Sequence, residues 1–319
     1  MEHVISFPAL GLEFTLNRVA AHVFGLDIYW YGIIICIGFI LAALYVNARV
    51  KEFGVTSDNL VDCLIICVPV GIICARIYYV VFEWDYYRQH LSEIIAIWNG
   101  GIAIYGAVIG VVIALYIYSR VKKLSFASLC DLAAFGLLIG QCIGRWGNFV
   151  NGEAHGGETA LPWGMSIDGG SPVHPTFLYE SLWNLVGFIA LHFYSKKRKF
   201  PGEMALLYVA WYGLGRAWIE GLRTDSLYLG PVRVSQMLAA MSCIVAVALL
   251  VRQHNRIKVQ RAFYVPPAAQ PVEAAAEPAP AADKPAEEKA EPAPAGDKPA
   301  EAAPAEDKAD AAPGEPEEK

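Results

Sequence analysis

Charged residues are scarce in this sequence: they make up 18% of the 319 residues, whereas an ordinary soluble domain carries about a quarter. Hydrophobic residues make up 55%, and the mean hydropathy is +0.38. A CxxC pair, a metal-ligand spacing, a GxGxxG or Walker loop and a Ser/His/Asp arrangement above chance are also missing. A soluble enzyme, a nucleic-acid binder and a disulfide-stapled secreted domain are poor fits. We therefore expect an integral membrane protein with no metal and no cofactor.

The seven cysteines all fall inside apolar runs, and their number is odd. We interpret them as small buried side chains and not as disulfide partners. The start of the chain lacks the basic stretch, short apolar run and small-residue cleavage site of a secretory signal. We expect the first apolar run to be retained as a membrane anchor.

Two unlike regions share the chain. Residues 266–319 are built almost wholly from Ala, Pro, Glu, Asp and Lys, with 14 acidic residues, 5 Lys and no aromatic residue. Their net charge of −9 leaves +3 for residues 1–265. The segment has too few apolar side chains to offset the entropy cost of ordering it. We predict a membrane domain over residues 1–265 and a disordered cytoplasmic tail over residues 266–319, to which we assign no role in chemistry.

Seven apolar runs are candidates for membrane spans. Crossing ~30 Å of hydrocarbon takes about 20 helical residues, because no backbone amide can remain unpaired there. The predicted fold is an all-α membrane protein with seven transmembrane helices. The runs are approximately Ile28 to Val46, Leu60 to Phe82, Gly101 to Tyr118, Phe126 to Ile143, Pro175 to Tyr194, Met204 to Ile219 and Val234 to Val251.

Lys and Arg alternate between the loops. The loops after the odd-numbered spans carry thirteen, and the N-terminal stretch with the other loops carries five. Basic residues resist transfer across the bilayer, so the N-terminus is predicted outside and the C-terminus in the cytoplasm. Of the outward segments, residues 1–27 are expected to lie at the interface as short amphipathic pieces. The Gly-rich residues 144–174 are expected to form a small external head that carries a site.

Three arginines occur within or near apolar spans, at a similar outward depth: Arg76, Arg145 and Arg216. Arginine at bilayer depth costs at least ~2.5 kcal/mol on insertion scales, so it normally has a counter-charge or faces a polar cavity. Guanidinium groups can grip a phosphate bidentately, so this group suits a phospholipid phosphate. A structural ion pair between helices is an equally good explanation for any one of them alone.

The end of the sixth span places three charged residues on one helix face. Arg216, Glu220 and Arg223 have the spacing i, i+4 and i+7. We expect Glu220 to neutralise Arg223 or Arg216. Arg216 lies deeper, so we expect it to be the arginine that stays free.

The segment HPTFLYE, His174 to Glu180, opens the fifth span, with Pro175 at a position suited to a first helical turn. Glu180 lies at an apolar depth that demands a partner, and Arg145 or Arg76 is expected to supply it. His174 is equally consistent with interfacial structure and with a proton carrier.

The segment GRWGNFVNGEAHGG, residues 144–157, is the most informative one. Its glycines allow tight turns where the fourth span breaks, and its polar side chains supply donors and acceptors. A capping turn with an interfacial arginine is the alternative. The polar residues are Arg145, Asn148, Asn151, Glu153 and His155.

The third span begins with NGGIAIYGAVIG, residues 99–110. Gly106 and Gly110 have the GxxxG spacing that lets a neighbouring helix approach. Tyr105 lies beside them, where its phenol could reach a ligand, although packing alone would explain it equally well.

At these motifs the sequence resembles the bacterial prolipoprotein diacylglyceryl transferases, over about residues 5–255. The resemblance implies a multi-pass protein of the bacterial cytoplasmic membrane. It also implies transfer of the diacylglyceryl group of phosphatidylglycerol to the lipobox cysteine of a preprolipoprotein signal peptide, forming a thioether and releasing glycerol phosphate. The motifs are WYG (30–32), CARIYYV (74–80), WNGGIAIYG (98–106), GRWGNFVNGE (144–153), HPTFLYE (174–180), YGLGRAWIEGLR (212–223) and RVSQ (233–236).

The resemblance also implies which residues matter. Arg145 and Arg216 would stabilise the leaving phosphate, Asn148 and Tyr31 would orient the headgroup, and Glu153 would hold an arginine or a glycerol hydroxyl. Many family members have His where this chain has Tyr105, so the base is Tyr105, His174 or the phosphate itself. The remaining candidates for substrate binding are Arg76, Gly156, Glu180, Glu220 and Arg223.

The main alternative class is a lipid transporter or flippase that uses the same arginines. It predicts paired charges near the midplane and inverted repeats. The charges here gather at one depth, and the motifs show no repeat.

Overall fold

The computed structural model describes residues 2–224, 228–229 and 232–263, and the predicted tail, residues 266–319, lies outside them. The described part is mostly helical, with short strands at the N-terminus and between the later helices. The helices are α1 (Trp30–Arg49), α2 (Ser57–Phe82), α3 (Trp84–Tyr87), α4 (Ile104–Val121), α5 (Phe126–Asn151), α6 (Thr176–Ser195), α7 (Glu203–Ile219) and α8 (Val234–Phe263). The strands are β1 (Glu2–Phe7), β2 (Leu12–Asn17), β3 (Val19–Val23), β4 (Leu26–Tyr29), β5 (Ser166–Ile167), β6 (Tyr228–Leu229) and β7 (Val232–Arg233).

Within the part of the chain that the structure describes, five helices are long and apolar enough to cross a membrane: α1, α2, α4, α5 and α8. The chain is therefore an integral membrane protein. The helices α6 and α7 coincide with the other two predicted spans but are not among the five. Helix α7 is only 17 residues long, and α6 buries Glu180, Ser181 and Asn184 among its apolar residues.

Helix α5 runs to Asn151, whereas the sequence predicted a break near Ile143. It ends at Gly152, whose φ of 62° is a left-handed conformation that glycine adopts without strain. Gly147 lies inside the helix because it makes room for a neighbour: a Cβ there would overlap the ring of Tyr31 in α1. Arg145 and Asn148 therefore project from a helix and not from an external loop.

The prediction of an all-α fold was wrong for the N-terminus. Strand β1 pairs antiparallel with β2 and β5, and β3 pairs with β4 around a turn in which Phe24 and Gly25 have positive φ. Burial alternates along β1, so that Ile5 and Phe7 are buried against Met165 and Phe177. Strands β1, β2 and β5 thus form a small core with the segment between α5 and α6 and the start of α6.

The close approach predicted for the third span is confirmed between α2 and α4. A Cβ on Gly106 would overlap the carbonyl oxygen of Cys74, and one on Gly110 would overlap the Cys74 side chain. The main apolar core is centred on α5, where Phe135 and Leu138 are fully buried, and it includes residues of α1, α2, α4, α6 and α7.

Candidate active site

Glu180 is the centre of the cluster of ionised side chains. It is 3% exposed, and its carboxylate forms ion pairs with three guanidinium groups. Arg145 contacts Oε2, while Arg216 and Arg223 lie 3.0 and 3.2 Å from Oε1. The predicted pair between Glu180 and Arg145 is confirmed. One carboxylate on α6 thus forms ion pairs with arginines from α5, from α7 and from the segment after α7.

Arg216 is not the free arginine that the sequence predicted. Besides Glu180, it contacts Glu220, which is 2% exposed, over 2.6 Å. Helix α7 ends at Ile219, and Glu220–Leu222 continues it as a tighter 3-10 turn, after which Arg223 is extended. The i, i+4 pair therefore survives, while Arg223 leaves the predicted face and reaches Glu180 instead.

Two guanidinium groups of the cluster remain partly accessible. Arg145 pairs with Glu180, and Arg216 pairs with both Glu180 and Glu220. The side chains of Arg145 and Arg216 remain 23% and 18% exposed. An anion can therefore reach both while their other faces stay paired.

A row of hydrogen bonds extends the cluster along the end of α5. Arg145 Nη1 donates to Oδ1 of Asn148 over 3.2 Å. The amides of Asn148 and Asn151 both donate to Oε1 of Glu153 over 3.1 Å. Glu153 is exposed, and the amide group of Asn148 links its carboxylate to the guanidinium of Arg145.

Tyr31 lies against the same end of α5. Its ring covers the Cα of Gly147, which stands between Arg145 and Asn148 in the chain. The ring is 37% exposed, so one side remains available to a ligand.

Gly156 lies where three chain segments meet. Its N–H donates to the carbonyl of His174, and the N–H of Gly157 donates to the carbonyl of Leu222, each over 2.9 Å. A Cβ on Gly156 would lie 2.7 Å from Cβ of His174 and 2.8 Å from the carbonyl oxygen of Leu222. Gly156 therefore fastens the loop after α5 to the start of α6 and to the residues beside Arg223.

The two candidate proton acceptors lie outside the ion-pair network. The hydroxyl of Tyr105 is 3.3 Å from Oγ of Ser235, and Nδ1 of His174 is 3.3 Å from the hydroxyl of Tyr179.

Arg76 does not join the other two arginines, contrary to the prediction. Its guanidinium donates to the backbone carbonyls of Glu93, Ile94, Gly100 and Gly101 over 2.6–2.8 Å. Backbone oxygens are thus the partners of Arg76, whereas the sequence had suggested Glu180 as a possible partner. The third arginine of the cluster is Arg223.

Sequence reasoning missed the tryptophan pair that joins α6 and α7. The indoles of Trp183 and Trp211 stack, and each N–H donates to the backbone carbonyl of the other residue over 2.9 Å. Each indole lies over a glycine of the opposite helix: Trp211 over Gly187, and Trp183 over Gly215. The signal was present, because both helices carry a Trp followed four residues later by Gly.

Among the residues that the structure describes, no group of three or more His, Cys, Asp or Glu is arranged to hold a metal ion. The candidate chemistry is that of guanidinium, carboxylate, amide and phenol groups.

Residues 18–252 match the model of the family described as prolipoprotein diacylglyceryl transferase. The chain belongs to this family. The matched range includes the whole ion-pair cluster and its hydrogen-bonded extension.

The relatives of this transferase-family chain include three proteins named phosphatidylglycerol–prolipoprotein diacylglyceryl transferase. The one from Clostridioides difficile is 48% identical over 229 residues, which cover 72% of this chain and 92% of that protein. The one from Listeria innocua is 44% identical over 262 residues, covering 78% and 94%. The one from Finegoldia magna is 44% identical over 243 residues, covering 76% and 98%. The resemblance first seen in the motifs therefore extends over most of each relative.

Proposed function

We propose that this chain transfers the diacylglyceryl group of phosphatidylglycerol to the lipobox cysteine of a preprolipoprotein. The names of its relatives support this activity. A second argument comes from the charges of the site, independently of those names.

The observation that carries the proposal is the pair of arginines beside Glu180 that remain partly accessible. A phosphodiester carries one negative charge, which guanidinium groups can bind bidentately. Arg145 and Arg216 are the groups that hold the phosphate, because both are partly exposed and both are fixed by buried carboxylates. Guanidinium groups that are already oriented stabilise the charge of the leaving phosphate without reorganising.

The reaction joins sulfur to carbon. The cysteine sulfur attacks the glyceryl carbon that bears the phosphate, the C–S bond forms, and the C–O bond to the phosphate breaks. Glycerol phosphate leaves, and the thiol proton passes to an acceptor. Tyr105 is our first candidate for that acceptor, although a phenol with an ordinary pKa near ~10 is a weak base; His174 and the phosphate itself are the alternatives.

The other site residues orient the headgroup. Asn148, which accepts a hydrogen bond from Arg145, and Tyr31, whose ring lies against Gly147, orient the headgroup beside Arg145. Glu153 is exposed, which suits an acceptor for a glycerol hydroxyl. Glu220 holds Arg216, Arg223 pairs with Glu180, and Gly156 holds the backbone.

We further propose seven spans, with α6 and α7 crossing the bacterial plasma membrane beside the five longer helices. The Lys and Arg content of the loops supports an outside N-terminus, a cytoplasmic tail and an outward-facing site. Both substrates carry apolar chains, so both enter sideways from the outer leaflet.

The experiment is a transfer assay with purified protein, labelled phosphatidylglycerol and a lipobox peptide. Label should move to the peptide thiol. The Arg145→Ala variant should lose this activity, while Arg88→Ala, which removes an exposed arginine that pairs with Asp85, should keep it. Labelled lipid that crosses to the opposite leaflet without peptide modification would instead indicate a flippase, a class that the names of the relatives do not support.

A further inference from the structure

The motif RVSQ, Arg233–Gln236, has no role in the proposed function, yet three of its side chains reach other elements. Arg233 Nη1 donates to the carbonyl of Glu220. Gln236 Nε2 donates to the carbonyl of Ala217 over 2.8 Å. The Oγ atom of Ser235 lies 3.3 Å from the hydroxyl of Tyr105 on α4.

Two of these contacts stabilise the end of α7. The last carbonyls of a helix have no partner within the helix and must find one elsewhere. Arg233 and Gln236 supply donors to two carbonyls there, and these carbonyls flank the ion pair of Arg216 with Glu220. The start of α8 therefore holds the segment that carries the ion pair.

The third contact reaches Tyr105. This residue lies in the first turn of α4 and is 39% exposed, so its own packing leaves the phenol partly unrestrained. Ser235 is the hydrogen-bond partner that the described part of the chain provides for the phenol. A serine hydroxyl can donate or accept, so it can keep its hydrogen bond with the phenol in either protonation state of Tyr105.

We propose that the first turn of α8 is a positioning element for the transfer reaction. Ser235 orients the hydroxyl of Tyr105, while Arg233 and Gln236 hold the end of α7 that carries Arg216 and Glu220. The element thereby couples the candidate proton acceptor on α4 to the phosphate-binding arginines. This inference rests on the proposed function.

The first test removes the Ser235 hydroxyl. Ser235→Ala should lower kcat about three- to tenfold, the range expected for one lost neutral hydrogen bond, and should leave the KM for phosphatidylglycerol unchanged. The matched control is Ser242→Ala on the same helix, because the Ser242 hydroxyl donates only to the backbone of its own helix, at Ala239. Equal kcat values for the two variants would overturn the inference.

A second pair of variants separates the hydroxyl from the shape of the side chain. Ser235→Thr and Ser235→Val have nearly the same shape, but only threonine keeps a hydroxyl. We expect Ser235→Thr to stay within about twofold of wild type and Ser235→Val to lose as much as Ser235→Ala. Equal loss in both would mean that packing and not the hydroxyl matters, which would contradict the proposal.

The outcome also separates this inference from the proposed function. If the wild-type protein transfers no diacylglyceryl group, the proposed function fails. If it transfers the group and is indifferent to the Ser235 hydroxyl, only the positioning role of α8 fails.

Discussion

At the residue scale, Glu180 is what allows three arginines to lie close together. Guanidinium groups repel one another, and within an apolar helix bundle little water is present to screen them. A buried carboxylate that contacts all three offsets this repulsion, and its own burial is tolerable only because they surround it. The three arginines and Glu180 therefore each need the others for their charges to be stable in the helix bundle.

Glu180→Gln should destabilise the protein as well as inactivate it. Removing the shared carboxylate takes an ion pair from each of the three arginines, and breaking a buried ion pair costs roughly 3–5 kcal/mol. The free energy of unfolding in detergent would measure this. Glu153→Gln is the control, because Glu153 is exposed and glutamine keeps an oxygen to accept from Asn148. A Glu180→Gln protein as stable as Glu153→Gln would contradict this account of the cluster.

The proton acceptor can be tested at Tyr105. Tyr105→Phe should reduce kcat at least a hundredfold, as expected when a general base is lost, while binding of phosphatidylglycerol is unchanged. Tyr105→His should keep substantial activity, because imidazole, with an ordinary pKa near ~6.5, is the better base. Single-turnover rates and equilibrium lipid binding would separate the two effects. Near-normal turnover in Tyr105→Phe would remove this residue from the mechanism.

The sequence located most members of the cluster but not their pairing. The energetic cost of charge in an apolar span was enough to select Arg145, Glu180, Arg216 and Glu220. It could not show that Arg76 finds its partners among backbone carbonyls, because those carbonyls gather only when the loop after α3 folds.

At the element scale, the site depends on how closely helices approach. The indoles of Trp183 and Trp211 join α6 to α7 through two reciprocal hydrogen bonds. These bonds fix the two helices in the register that brings Glu180 to Arg216. In the same way, Gly147 lets Tyr31 of α1 lie beside Arg145.

Gly147→Ala should therefore impair transfer. The added methyl group would overlap the Tyr31 ring, forcing the ring or α1 to move, so kcat/KM should fall roughly tenfold or more in the same transfer assay. Gly140→Ala is a matched control on α5, since nothing lies within 4 Å of a Cβ there and alanine favours a helix. Equal activity in the two variants would show that the Tyr31 contact does not matter.

The helices could be predicted from apolar length, but the C-terminal end of α5 and the N-terminal strands could not. The glycines of residues 144–157 looked like a helix break, and only the packing of Tyr31 on Gly147 shows why a glycine can be retained inside the helix. Strand β1 is stabilised by pairing with β5, which is far away in the sequence. Such pairing leaves no local signal.

At the scale of the whole molecule, the catalytic machinery we propose lies within residues 1–265. The family match ends at residue 252, and the acidic residues 266–319 follow it. A protein ending at residue 265 should therefore transfer lipid within about twofold of the full chain. Initial rates in vesicles of equal protein content would measure this. Loss of activity on truncation would give the tail a role that we do not assign to it.

The most direct test of the central claim follows both parts of one phosphatidylglycerol molecule. Lipid would carry one label in an acyl chain and another in the headgroup glycerol, and the peptide would be analysed by mass spectrometry. The account predicts that the lipobox cysteine gains the acyl label in a thioether adduct, while an equal amount of the headgroup label appears as soluble glycerol phosphate. A peptide that stays unmodified, or that carries the headgroup label as well, would contradict it.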